Sequence, residues 1–174
     1  MIGKNELRDS ILHDLKVAKA LVAKLPEGAA EFRLSAEQRS TLELARYLCG
    51  VAQGCVHAGL DGSCAWFGAN GARLQGLTLA EVPAALDEEM AEVTRLFAGI
   101  SDQDFAGKVV DMSASNMGTW KLQGWLLNTA AKFTSAYKLQ LFLHAKAAGN
   151  KQLNTWDAWM DTGGVARPQP AAKL

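Results

Sequence analysis

The sequence of 174 residues predicts an all-α chain, a four-helix bundle with long connecting loops. Three observations carry that prediction. Four segments repeat apolar residues at three- and four-residue steps, the period of a helix with one buried face. Two of the four open on a capping-box pattern. No stretch alternates apolar and polar residues often enough to build a sheet, so the apolar stripes can only be buried against one another.

The first helix is marked by Leu7, Ile11, Leu15, Ala18, Val22 and Leu25, and Pro26 stops it. A link from Pro26 to Arg39 follows. The second helix opens at Ser40-Thr41-Leu42-Glu43, where Ser40 and Glu43 satisfy each other's amides, and runs through Leu44, Tyr47, Leu48, Val51 and Cys55 to about Leu60. The next stretch, DGSCAWFGANGARLQG from Asp61 to Gly76, is rich in glycine and polar residues and is expected to be irregular. Thr78-Leu79-Ala80-Glu81 repeats the start signal. A third helix then runs through Val82, Leu86, Met90, Val93 and Phe97 to Gly99. In the link from Ser101 to Thr119, KVVDMSAS offers Val109 and Val110 as a short extended piece. The fourth and longest helix is expected from about Trp120 to Ala148, ended by Gly149-Asn150. Long links free the helices from sequential antiparallel order. Residues 1–162 read as one domain with a packed C-terminal segment, and the Gly/Pro/Ala-rich residues 163–174 as a flexible tail.

Eighteen basic residues balance eighteen acidic ones, so nothing attracts the chain to phosphate backbones or anionic lipid; no nucleic-acid and no membrane partner is expected. No apolar run approaches the length of a membrane span, and MIGKNELRDS lacks the apolar centre of a signal peptide. Three cysteines at irregular spacing, with no CxxC, fit a reducing cytoplasmic setting. Cys49 and Cys55 read as small buried residues, and Cys64, in an expected loop, as the thiol most open to reagents.

The fourth helix carries an unusual set. At about 100° per residue, Phe133, Tyr137, Gln140 and His144 fall within a sector of roughly 60°. Such a face is either core packing or the wall of a site. A buried Gln140 would demand a polar partner, and Tyr137 is within reach on the same face.

Three stretches then carry a family resemblance: LSAEQRSTLELARYLCGVAQG from Leu34, AYKLQLFLHAKAAG from Ala136 and LNTWDAWMD from Leu153. In order and spacing the chain resembles the DinB/YfiT-like superfamily over most of residues 5–162. The resemblance implies a four-helix bundle. In its metal-binding members it implies one histidine from the second helix and two, four residues apart, from the last. Those positions fall here on Tyr47, Phe133 and Tyr137, none of them a histidine. Phenylalanine cannot ligate, and neutral phenols are poor ligands for a divalent ion. His13, His57 and His144 are too far apart in the helical register to replace them. No metal and no cofactor are therefore expected.

Three readings follow. A small-molecule pocket, lined by Tyr47, Phe133, Tyr137, Gln140 and His144 and closed by Asn154 and Trp156, is the first. The second is a thiol transferase or isomerase, implied by the metal-containing relatives, with a displaced site. The third is a structural or interaction protein whose aromatics fill the core, acting as a homodimer. Arg39, Arg46 and Lys138 read as bundle-edge charges rather than an anion clamp, and Asp14 and Glu43 as solvated or capping carboxylates.

Overall fold

The computed structural model describes residues 2–162; residues 163–174, expected to form a flexible tail, lie outside them. Helix α1 spans Lys4–Val22, α2 Thr41–Leu48, α3 Val51–Asp61, α4 Ala65–Gly76, α5 Val82–Ala98 and α6 Asp102–Gly107. Strands β1 (Val109–Asp111) and β2 (Thr119–Lys121) pair antiparallel, with Val110 opposite Trp120. Helix α7, Leu122–Leu126, passes through a π-helical turn at Leu127–Ala131 into α8, Lys132–Ala147. A 3-10 turn at Thr155–Ala158 follows. The all-α class expected from the sequence is the one observed.

Around the bundle, α1 lies between α5 and α8, while α2 and α3 pack on α8 and α5 from the far side. The first and second long helices are therefore diagonal, an arrangement that their long link permits. Leu7, Ile11 and Leu15 of α1 meet Leu44 and Leu48 of α2, Leu86 and Phe97 of α5, and Leu122, Leu126 and Leu141 in one core cluster, every one of them without exposed surface. Each such side chain contributes about 1.5–3 kcal/mol. Among the described residues no helix is long and apolar enough to cross a membrane.

Two helical expectations need correction. The second helix is broken: Cys49 and Gly50 close α2 with i→i−3 bonds, and α3 starts afresh at Val51. The Asp61–Gly76 stretch is not irregular, because its last twelve residues form α4. Glycines in α3 and at its start explain how so weak a helix former is held. A Cβ on Gly50 would lie 2.6 Å from Leu74 Cδ1, and one on Gly54 would lie 2.5 Å from the Phe67 ring and 2.8 Å from Trp66. The bare backbone at Gly50 and Gly54 is the seat on which the α4 side chains rest.

The start signal at Thr78 is used, since Thr78 N donates to Glu81 Oε2 at 2.8 Å. It closes a turn, and α5 proper begins at Val82 with Pro83 in its first turn, where a missing N–H costs nothing. At Ser40 the capping box forms as expected: Ser40 N donates to Glu43 Oε2 at 2.7 Å and Glu43 N to Ser40 Oγ at 3.2 Å. The extended piece at Val109–Val110 is β1. The π-helical turn has its own side-chain donors. Thr129 Oγ1 donates to the Trp125 carbonyl at 2.7 Å, Thr134 Oγ1 to that of Ala130 at 2.7 Å, and Asn128 Nδ2 to that of Gly124 at 2.8 Å. Side-chain donors to the carbonyl four residues back are a common accompaniment of such distorted helical turns.

Candidate functional site: an arginine-lined groove over a tyrosine pair

Between α2, α4 and the link ahead of α2 runs an open groove of about 800 Å³. The link contributes Arg33, Glu37 and Arg39; α2 contributes Glu43, Arg46 and Tyr47; and α4 contributes Phe67, Gly71 and Leu74. Tyr47 points back from this wall onto Tyr137 of α8, the two rings meeting edge to face with centroids 4.7 Å apart. The Arg39 guanidinium lies over both, 4.5 Å from the Tyr47 centroid and 5.4 Å from that of Tyr137. Its Nη1 donates to Tyr137 Oη at 3.4 Å. Burial, and then the neighbouring Tyr137 phenol, push Tyr47 up to about 12, so it stays a neutral hydrogen-bonding group at physiological pH.

Of the seven residues singled out in the sequence, the structure brings Tyr47 and Tyr137 into contact and separates the rest. Phe133 is 41% exposed on the outside of α8. Gln140 is exposed too, so the expectation of a buried amide is corrected. The buried stripe of α8 runs one step round, through Thr134, Lys138, Leu141 and Ala145. His144 is buried, its Nδ1 3.1 Å from Thr41 Oγ1 and its ring edge-on to Phe32; it ties α8 to the start of α2, and burial holds its pKa below the usual imidazole value. Asn154 caps the 3-10 turn, accepting from Trp156 N at 2.9 Å while its own N–H donates to Asp157 Oδ2 at 2.8 Å. Trp156 is 43% exposed on that same segment, which packs on α1 and α8 and does not line the groove. The segment carrying Asn154 and Trp156 therefore does not close over the tyrosines, contrary to expectation.

Three charged groups lie inside the bundle: Lys138 and Asp14, whose sequence expectations need correction, and Glu89, not singled out from the sequence. Lys138 is no edge charge: it is 2% exposed, and its Nζ donates to Asp14 Oδ1 at 2.7 Å beneath the Trp159 ring, 5.0 Å from the centroid. Asp14, read as solvated or capping, is 14% exposed in that pair. Glu89 of α5 is fully buried, and its carboxylate occupies the break between α2 and α3. There its Oε1 accepts from Gln53 N at 2.9 Å while Oε2 accepts from the Gln53 side-chain amide. It thereby serves an amide of the first turn of α3, which Gly50 cannot cap. A charged residue on the stripe Val82, Leu86, Val93 and Phe97 was the visible signal for Glu89.

Cys49 and Cys55 are buried, as expected, and burial pushes both thiols up to about 12. Cys64, ahead of α4, is partly exposed. One thiol per chain should therefore react promptly with a disulfide reagent at pH 8, and the other two only after unfolding. A Cys64→Ser variant should lose the prompt reaction. Prompt labelling of two or three thiols would contradict this packing.

The residues at the positions where the resemblance places a metal do not fit one. Phe133 offers no donor and faces outward. Tyr47 is far from the phenolate that would ligate, and an ion beside the pair would meet the fixed charge of Arg39. Among the described residues no three His, Cys, Asp or Glu side chains gather in a way that could hold a metal ion.

No family model matches the chain, and no curated protein matches it in sequence. Among solved structures it is similar to a DinB-like protein, YjoA, from Bacillus subtilis, with a TM-score of 0.67 at 11% identity. The match covers 87% of this chain and 96% of that one. A likeness at that identity is one of fold, and the chain has the DinB-like fold.

Proposed function

We propose that this protein binds a small organic molecule, without a metal, in the groove between α2 and α4. The observation that carries the reading is the groove itself. Its volume of about 800 Å³ lies in the range of small-molecule sites. Phe67, Leu74 and Tyr47 supply apolar and aromatic wall, and a few polar groups converge beside them. Gly71 leaves the α4 side open, since a Cβ there would meet nothing within 4 Å. The metal-dependent chemistry of the superfamily has no support in the tyrosine pair.

Gly71→Leu tests the site without disturbing the fold. Leucine is the better helix former by up to about 1 kcal/mol, so the variant should melt no lower than the parent. In a thermal-shift screen of small metabolites and thiols, the parent should be stabilised by its ligand as RT ln(1 + [L]/Kd). The variant should lose that response. An undiminished response places the site elsewhere, and a parent that responds to nothing removes the reading. Elemental analysis of the purified parent checks the metal-free part: one transition metal per chain, lost in Tyr47→Ala, would overturn it.

A second reading, as an interaction protein, rests on the outward face of α8. There Ala136, Leu139, Leu143 and Ala147 form an exposed apolar strip, with Leu139 and Leu143 each more than two-fifths accessible. A second copy meeting that strip is the homodimer entertained from the sequence, and the molar mass from light scattering decides it.

A further inference from the structure

The three arginines of the groove are not equivalent. Arg33 is spent, paired with Glu43 Oε2 at 2.9 Å and donating to the Gln38 carbonyl at 2.5 Å. Glu43 is spent with it, since that ion pair and the Ser40 N–H hold its carboxyl below the usual range. Arg46 donates Nε to the Leu77 carbonyl at 2.6 Å, which pins the end of α4 and fixes the direction of its guanidinium. Among the described residues neither Arg46 nor Arg39 has a carboxylate partner. Arg39 is held by stacking on two rings, and its single hydrogen bond, to Tyr137, is long. Stacking fixes the plane of a guanidinium while leaving its N–H edge unspent, and that edge matches two oxygens of one oxyanion. Glu37 also lines the groove, so three guanidiniums face two carboxylates there. Beside them Phe67, Leu74 and Tyr47 give an apolar wall.

Resting on the reading of the groove as a small-molecule site, we infer that its ligand is an organic oxyanion: a carboxylate on a short apolar body, gripped at its charged end by Arg39. The apolar body separates this ligand from free phosphate, which would use the guanidiniums and leave the wall empty. The charge separates it from neutral metabolites of the same shape, which would leave Arg39 without its bonds.

Titration calorimetry with benzoate, benzamide and inorganic phosphate tests this. Benzoate should bind, and benzamide, equal in shape but uncharged, at least tenfold more weakly. Phosphate should also bind more weakly than benzoate. Arg39→Ala, a change at an exposed side chain, should stay folded and lose at least tenfold in benzoate affinity. Arg39→Lys should not restore it, because an ammonium lacks the planar fork. Benzamide binding as well as benzoate overturns the oxyanion, and leaves the groove reading intact. Phosphate binding as tightly as benzoate overturns the apolar body, and an Arg39→Ala variant with unchanged affinity overturns the grip. No binding of benzoate overturns the inference, while the Gly71→Leu screen decides separately whether the groove reading falls with it.

Discussion

Replacing Lys138 with methionine is expected to lower stability by about 3–5 kcal/mol, the cost of breaking a buried pair from one side. Methionine keeps most of the side-chain volume, so the loss reports charge rather than a cavity. Lys138 Nζ and Asp14 Oδ1 are 2.7 Å apart, with the two side chains 2% and 14% exposed. Once the ammonium is gone, the Asp14 carboxylate remains between α1 and α8 with no cation, and the Trp159 ring loses the charge it covers. Removing both charges, as Lys138→Met with Asp14→Leu, should recover most of the loss, because the desolvation penalty disappears together with the attraction. For a domain of this size the single variant should melt on the order of 10 °C lower. Urea unfolding of the two single variants and the double gives the cycle. A Lys138→Met protein within 1 kcal/mol of the parent would mean that the pair is solvated and that Trp159 does not cover it.

That pair also shows where sequence reading worked and where it stopped. In α1 the spacing of Leu7, Ile11, Leu15 and Ala18 coincides with the buried face, because the outward positions there carry Lys16 and other polar residues. Helix α8 lacks that contrast. It carries Thr134, Lys138 and His144 inside and Phe133, Leu139 and Leu143 outside, so apolar periodicity points to the wrong side. A polar residue can face inward once it has a partner on another helix, and Asp14 and Thr41 are partners that no local pattern reveals. The helix in the glycine-rich link was hidden for a related reason. Local propensity argues against α4, and what holds it is Trp66, Phe67 and Leu74 seated at Gly50 and Gly54, a tertiary effect. The meeting of Tyr47 and Tyr137 was legible, through the resemblance that aligned both with one site. Arg39 was visible only as a charge, since its stacking depends on how the link before α2 crosses the bundle.

The α2–α3 break gives the second large effect, and it depends on pH. Glu89 is fully buried, and burial, only partly offset by the Gln53 bonds, raises its carboxyl from an ordinary 4.5 to about 7. Below about pH 4.5 the folded and unfolded chains both hold this proton. Between about 4.5 and 7 the unfolded chain releases it while the folded chain keeps it, so ionisation favours unfolding and stability falls as pH rises. Above about 7 both are ionised and the loss is complete, on the order of 3 kcal/mol for a shift of this size. Glu89→Gln cannot ionise. Its side-chain oxygen can still accept from Gln53 N, and its amide can pair with Gln53 once that side chain turns over. The variant should therefore lack this decline and be the more stable protein at pH 8. Glu89→Ala should be destabilised at pH 5, because it leaves the first turn of α3 without its acceptor. Urea midpoints of parent and Glu89→Gln measured from pH 5 to pH 8 decide the matter. Parallel profiles would show that burial does not raise the Glu89 carboxyl in the folded chain, while the effect of Glu89→Ala would still report its hydrogen bonds to Gln53.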